Sequence, residues 1–309
     1  MRVWAGLATI YVVWGSTYLG IRVMVETVPP LLGSGLRFLV AGAIFAAVLV
    51  ARSGVAALRV SRRELLSCAI VGIALLLGGN GLVAVAEQKV PSGLAALVVA
   101  SVPLWVVVFR RAGGEAIGAA TAVSVIVGFA GVALLLAPGG RPGHVPAGGL
   151  LVVVAAAFCW ASGSFASGRL PLPADPLRST AVQMLIGGGT MVAVSLLAGE
   201  GGDVHWSAIS ADSALAFAYL VVAGSLGAFT AYVWLLGHAP LSQVATYAYV
   251  NPVVAIALGA LILGEHVTAL VVVGAAIIVA SVAMTVRREA VPRRARSATS
   301  SAPAPEPAG

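Results

Sequence analysis

Charge is what this chain has least of. Only 9% of its 309 residues are Asp, Glu, Lys or Arg, against roughly 25% in soluble domains. A water-soluble fold of this length needs far more polar surface. Lysine is almost missing: the single one, Lys89, follows Gln88 rather than a glycine, which excludes the phosphate-binding loop of an ATP-driven pump. Cysteine is scarce, and Cys68 and Cys159 each fall inside an apolar run. They read as small core residues rather than as a disulfide or metal pair. Asp175, Asp203 and Asp212 lie in or beside the connections between apolar runs, as do His144, His205, His238 and His266. An intramembrane hydrolase needs paired aspartates, a Ser–His set or a zinc motif at membrane depth. The inventory therefore argues against an enzyme and implies neither metal nor cofactor.

Apolar residues fill the chain instead, at 60% of the total and a mean hydropathy of +1.03. A helix needs about 20 such residues to cross the hydrocarbon core. Runs of that kind lie at 4–25, 31–51, 65–86, 91–109, 116–137, 147–168, 177–198, 213–236, 241–263 and 267–286. The expectation is an all-α integral membrane protein with ten transmembrane helices. Arg2 ahead of an apolar stretch suggests a signal peptide, but the stretch runs to Ile21 and Met24-Val25-Glu26 offers no small-residue cleavage site. It reads as a retained helix. Residues 287–309, rich in Arg, Ser, Ala and Pro, cannot bury a core and read as a disordered cytoplasmic tail.

A net charge of +7 would suggest nucleic acid in a soluble domain. Here most of the arginines sit in short connections, where they set membrane orientation and call for no nucleic-acid partner. With the N-terminus inside, fourteen basic residues fall on the cytoplasmic side, and only Arg22, Lys89 and Arg141 fall outside. Both termini are thus expected in the cytoplasm, with Gly199–Asp212 outside.

The chain also repeats itself. A shift of 146 places Trp14-Gly15-Ser16 on Trp160-Ala161-Ser162 and Arg37 on Gln183; a shift of 149 places Pro91 on Pro240 and Pro103 on Pro252. A shift of 150 places Glu115 on Glu265. Because each copy holds five helices, 4–137 and 147–286, the second must enter the membrane inverted. Inverted repeats are characteristic of secondary transporters, which site substrate near the midplane between the copies.

The motifs Trp14-Gly15-Ser16-Thr17-Tyr18, Gly35-Leu36-Arg37-Phe38, Gly79-Asn80-Gly81, Ala86-Glu87, Val90-Pro91-Ser92-Gly93 and Tyr247-Ala248-Tyr249-Val250-Asn251-Pro252-Val253 resemble the EamA family of the drug/metabolite transporter superfamily. The likeness extends to its YedA-like members and covers about residues 4–286. Glu115 and Glu265 look like the family's Gly-Glu junctions, whereas Ser124 and Ser281 stand where it often has glycine. The resemblance implies an exporter of small metabolites, amino acids or drug-like amphiphiles, working by alternating access in the bacterial inner membrane. It implies no particular substrate.

Polar side chains inside spans should face the bundle interior or a wet cavity. The candidates are Trp14, Ser16 and Tyr18 on the first helix, Arg37 on the second and Asn80 on the third. In the second half they are Trp160, Ser162, Gln183, Gln243, Tyr247, Tyr249 and Asn251. Together they would line an aromatic pocket with a few hydrogen-bonding groups. Against this, Ser and Thr in spans often bond only their own backbone, and Trp4 and Trp206 read as interfacial anchors. Pro103 and Pro252 read as kinks. Arg37 is the only charge well inside a span; it needs carbonyls, Asn80 or a substrate carboxylate nearby unless it snorkels to the surface. Glu87 either forms an interfacial ion pair with Lys89 or carries a proton. A membrane-embedded ligand sensor is the rival reading, although it would need no inverted halves. Oligomeric state is left open.

Overall fold

The computed structural model describes residues 2–136, 145–202, 204, 206–236, 238–239, 244 and 246–290. All regular structure among them is helical. In chain order the rods are α1 (Arg2–Met24), α2 (Pro30–Ser53), α3 (Arg62–Glu87), α4 (Ser92–Ala112) and α5 (Ala119–Leu136). They continue as α6 (Ala147–Ser167), α7 (Pro176–Leu197), α8 (211–236), α9 (Tyr247–Leu263) and α10 (Ala269–Ala290). Eight are long and apolar enough to cross a membrane; α5 and α9 are shorter apolar helices. The 17 residues of α9 reach about 26 Å at 1.5 Å per residue, just under the roughly 30 Å of a hydrocarbon core.

Local chemistry sets the ends. Ser61 and Glu64 form a reciprocal capping box at the start of α3: Ser61 Oγ accepts from the Glu64 amide at 3.2 Å and Glu64 Oε2 from the Ser61 amide at 2.7 Å. This begins the helix three residues ahead of the expected apolar run. Asp175 caps α7 through the Leu177 amide at 2.9 Å, with Pro176 at the first helical position. The last helix overruns its expected end at 286, continuing to Ala290. Nothing before Pro292 breaks it, and Arg287 and Arg288 suit a helix C-terminus.

Two departures from regular helix bear on function. In α4 the chain turns at Ala100 and Ser101, so the rod is two pieces, Ser92–Val99 and Val102–Ala112. Pro103 has no N–H to offer the Val99 carbonyl one turn back, which is why the break sits there. Pro252 lies six residues into α9, which runs through it unbroken. Both α3 and α8 widen to π-helix, over Ile73–Gly81 and Leu220–Gly227. The two wide segments hold Gly78-Gly79-Asn80-Gly81 and Gly224-Ser225-Leu226-Gly227. A π stretch leaves backbone carbonyls poorly paired and often marks a functional place.

The helices pack as α2 on α7, α5 on α10 and α4 on α9. Further contacts join α3 to α6 and α7, α1 to α8 and α9, α4 to α6, and α2 to α8. Without a hydrophobic force between helices in lipid, close approach of small residues carries this association. At the α2–α7 crossing a Cβ on Gly188 would lie 2.9 Å from the Gly35 carbonyl, and one on Gly35 would lie 3.0 Å from the Gly188 carbonyl. Where α3 meets α7, a Cβ on Gly72 would sit 2.7 Å from the Gln183 carbonyl. At α5–α10 the two serines take up the approach directly, since Ser281 Oγ donates to the Ser124 carbonyl. Side chains such as Ile126, Leu215 and Leu261 point outward, as expected where the solvent is lipid.

Candidate functional site

Arg37 lies two turns into α2 and is only 5% exposed. Its Nε donates to Ser225 Oγ at 2.8 Å, and its guanidinium carbon stands 4.8 Å from the Phe38 ring centre. The partner is therefore a hydroxyl on the π segment of α8, and neither Asn80 nor a snorkelling path to the surface. Gly224 makes room for it: a Cβ there would come within 3.1 Å of Arg37 Nη2. Among the described residues, the terminal nitrogens of Arg37 make no hydrogen bond.

Trp14 closes the other side of this segment, its Nε1 donating to the Gly224 carbonyl at 3.3 Å. Its ring centre lies 5.1 Å from Tyr247 and 5.2 Å from Tyr232, and Tyr232 lies 6.3 Å from Phe229. These edge-on and tilted pairings suit aromatic quadrupoles. Phe45 extends the group, 6.2 Å from Phe229. A buried guanidinium with unused donors thus stands beside a wall of rings drawn from α1, α2, α8 and α9. Ser16, two residues beyond Trp14 and on the far side of the helix from it, donates to the Val13 carbonyl at 2.9 Å and meets Tyr219 Oη at 2.5 Å.

The remaining sequence candidates scatter. Tyr18 and Tyr249 pack on one core cluster with Val99 and Ala248, and Trp14 and Tyr247 on another. Trp160 covers Gly79 on the π segment of α3, where a Cβ would strike its ring at 2.6 Å. Ser162 donates to the Cys159 carbonyl at 2.8 Å and serves its own helix. Gln183 Nε2 donates to Ser179 Oγ at 2.8 Å, also within its helix. Asn80 is half-buried and has no hydrogen-bond partner among the described residues. Asn251 is buried with an unpartnered Oδ1, at the place where α9 crosses Gly15 of α1. Gln243 lies outside the described residues. Ser225, Tyr232, Phe229 and Tyr219 were absent from the sequence candidates. The one signal for Ser225 was the Gly224–Gly227 stretch, which repeats Gly78–Gly81 at the shift of 146.

At the end of α3, Glu87 makes no ion pair with Lys89. Lys89 is exposed, while Glu87 is 0% exposed and neither carboxylate oxygen has a hydrogen-bond partner. Arg22 turns instead to the main-chain carbonyls of Glu87 at 2.9 Å and Gln88 at 3.4 Å. Close by, Glu265 spans to the start of α4, its Oε1 accepting from the Ser92 amide at 2.7 Å and Ser92 Oγ at 2.8 Å. Its Oε2 accepts from the Gly93 amide at 3.1 Å. At the far end of α4, Glu115 bonds Arg110 Nε at 2.7 Å and Arg169 Nη2 at 2.6 Å. The Arg110 hydrogen bond, with Arg169 beside it, holds the Glu115 carboxyl below the usual carboxylate range. Arg169 also stacks on Phe165, 3.6 Å from its ring centre.

Comparison with known proteins adds the lineage. The inner membrane transporter YedA of Escherichia coli (strain K12) is 39% identical over 86% of this chain and 84% of its own. Transporter YvbV of Bacillus subtilis (strain 168) is 28% identical over 90% of this chain and 89% of its own. A probable amino-acid metabolite efflux pump of Salmonella typhimurium is 28% identical over 93% and 95%. One solved crystal structure, 24% identical, superposes with a TM-score of 0.61 over 92% of this chain and 97% of that one, a likeness of fold alone. The EamA-like transporter family matches residues 3–137 and 147–287, and to that family of membrane transporters this chain belongs.

Proposed function

We propose that the protein is a ten-span secondary transporter that exports small amphiphilic solutes across the inner membrane by alternating access. The observation that carries the proposal is that Arg37 and Trp14 meet the same residue, Gly224, from two sides, with the Tyr232 and Tyr247 rings packed on Trp14. Guanidinium donors left free beside rings suit a solute with a carboxylate or other acceptor and an apolar body. Metabolites, amino acids and drug-like molecules include such solutes, and the relative described as a probable amino-acid metabolite efflux pump is consistent with them.

Two inverted five-helix repeats, 4–137 and 147–286, are part of the same reading. Adding five to each helix number, with wrap-around, turns the packing list onto itself: α3–α6 becomes α8–α1, α1–α9 becomes α6–α4, and α3–α7 becomes α8–α2. The π segments fall on α3 and α8, the matching pair. Such exchangeable halves support rocking about a central site. The basic residues favour both termini in the cytoplasm and Gly199–Asp212 outside. A cysteine placed at Ser207 should then label from outside in intact cells, and labelling only after permeabilisation would reverse the topology.

The decisive test is a screen of labelled solutes against vesicles holding the full chain, with Arg37→Lys and Arg37→Ala beside the wild type. Lysine keeps charge but loses the planar fork. Both variants should reach the membrane normally and transport poorly. Full transport by Arg37→Ala at normal protein level would overturn the placement of the site.

A further inference from the structure

We propose that Glu87 is a proton-carrying site, held neutral in this conformation and closed off by the Glu265 clasp on α4, so that transport of solute moves protons. The inference rests on the transport reading only for its coupling; the proton site itself stands on geometry. A wholly buried carboxylate with two unpartnered oxygens is not accommodated as an ion, because nothing replaces the water it lost. The neutral acid is the form that fits.

Among the described residues, Arg22 is the cation within Coulombic reach of the carboxyl, and it offsets only part of what burial and the Glu265 charge oppose. On α1, Arg22 gives its hydrogen bonds to the Glu87 and Gln88 carbonyls and none to the carboxylate. Tyr18, also on α1, lies within Coulombic reach and brings no positive charge. Glu265, the nearest acid, is committed to Ser92 and Gly93. Lys89, two residues on, is exposed, and His266 lies beside Glu265 at the clasp. A metal ion has no cage here either, since no group of three His, Cys, Asp or Glu gathers among the described residues.

The clasp supplies the means of access. Gly264 takes a φ of 63°, turning the chain back at the end of α9. Gly259 leaves the space the carboxylate fills: a Cβ there would come within 2.3 Å of Glu265 Oε2 and 2.9 Å of Ser92 Oγ. Ser92 is five residues beyond Glu87, so release of this clasp frees the turn that directly follows Glu87. Inward from it, Tyr18 stands within Coulombic reach of both Glu87 and Tyr247, and Tyr247 abuts Trp14. The Glu87 end and the aromatic side of the Arg37 site thus lie within electrostatic reach of one residue, Tyr18. Loading from outside and release inside would drive a solute the other way.

Two measurements test this. Infrared spectra of the full chain in lipid vesicles at neutral pH should contain a neutral carboxylic acid carbonyl band that is lost in Glu87→Gln and kept in Glu265→Gln. Absence of the band from the wild type, or its survival in Glu87→Gln, would overturn the proton site whatever the protein transports. Vesicles loaded with a pH-sensitive dye are then offered labelled phenylalanine, whose phenyl ring and carboxylate match the rings and Arg37. The wild type should accumulate it when an imposed pH gradient drives proton counterflow, while Glu87→Gln keeps exchange and loses accumulation. Accumulation driven by sodium and not by protons would overturn the coupling. No movement of any screened solute by the wild type would instead sink the transport reading, leaving the infrared result to decide Glu87.

Discussion

Replacing Ser225 by alanine removes the only side-chain hydrogen bond that Arg37 makes among the described residues. Interhelical hydrogen bonds in membranes average about 0.6 kcal/mol and reach about 1.7, because the unfolded chain in lipid also finds partners. Bonds to charged groups run higher, about 1.5–3 kcal/mol. Arg37 is 5% exposed and its Nε–Oγ distance is 2.8 Å, so the charged donor should outweigh the membrane average. The expected loss is about 1.5 kcal/mol. Reversible unfolding of the full chain from mild micelles with sodium dodecyl sulfate measures it, as a cycle with Arg37→Met. In the Arg37→Met background the Ser225→Ala cost should largely vanish. If the two single changes add within about 0.3–0.5 kcal/mol, the bond does not hold Arg37 and the argument for its placement fails.

Three further outcomes are expected of the same packing. Gly188→Ala should destabilise by about 1–3 kcal/mol, because its Cβ would meet backbone of α2 at 2.9 Å; Gly189→Ala, whose nearest neighbour is a Leu39 methyl at 3.9 Å, should be close to neutral. Equal effects of the two in unfolding would contradict the packing at that crossing. Glu265→Gln should cost about 1 kcal/mol, the scale of a helix N-cap, and removing Ser92 Oγ in the same background should then cost less than in the wild type. Glu115 has a lowered carboxyl pKa in the fold, so its stabilisation is complete above the ordinary value of about 4.3 and is lost as pH falls through the folded value. Thermal midpoints of wild type and Glu115→Gln should therefore differ at neutral pH and converge in acid; a gap that widens on acidification would show the sign to be wrong.

Composition alone determined the helical class and the lipid solvent. With 9% charge and 60% apolar residues, only structures that satisfy their own backbone can live in that solvent. The helix limits were readable to within a few residues, and the break in α4 was readable from Pro103, because caps and imino acids act locally. The likeness to a transporter family was readable from short motifs for the same reason: each motif builds one local piece of backbone.

What the sequence left undecided was which side chains meet. Trp14 and Tyr18 share a helix face four residues apart, yet packing sends one to the Arg37 centre and the other toward Glu87. The π widening of α3 and α8 shifts every later side chain around its helix, a rotation no period of 3.6 foresees. Ser225 and Gly224 sit inside the widened stretch of α8, where they meet Arg37 and Trp14. Glu87 shows the limit most plainly. Its place beside Lys89 and Pro91 matches an exposed helix end, and only the fold of α1, α4 and the Glu265 turn around it removes its water. Burial is a property of the whole packed bundle, and neighbours in sequence carry no record of it.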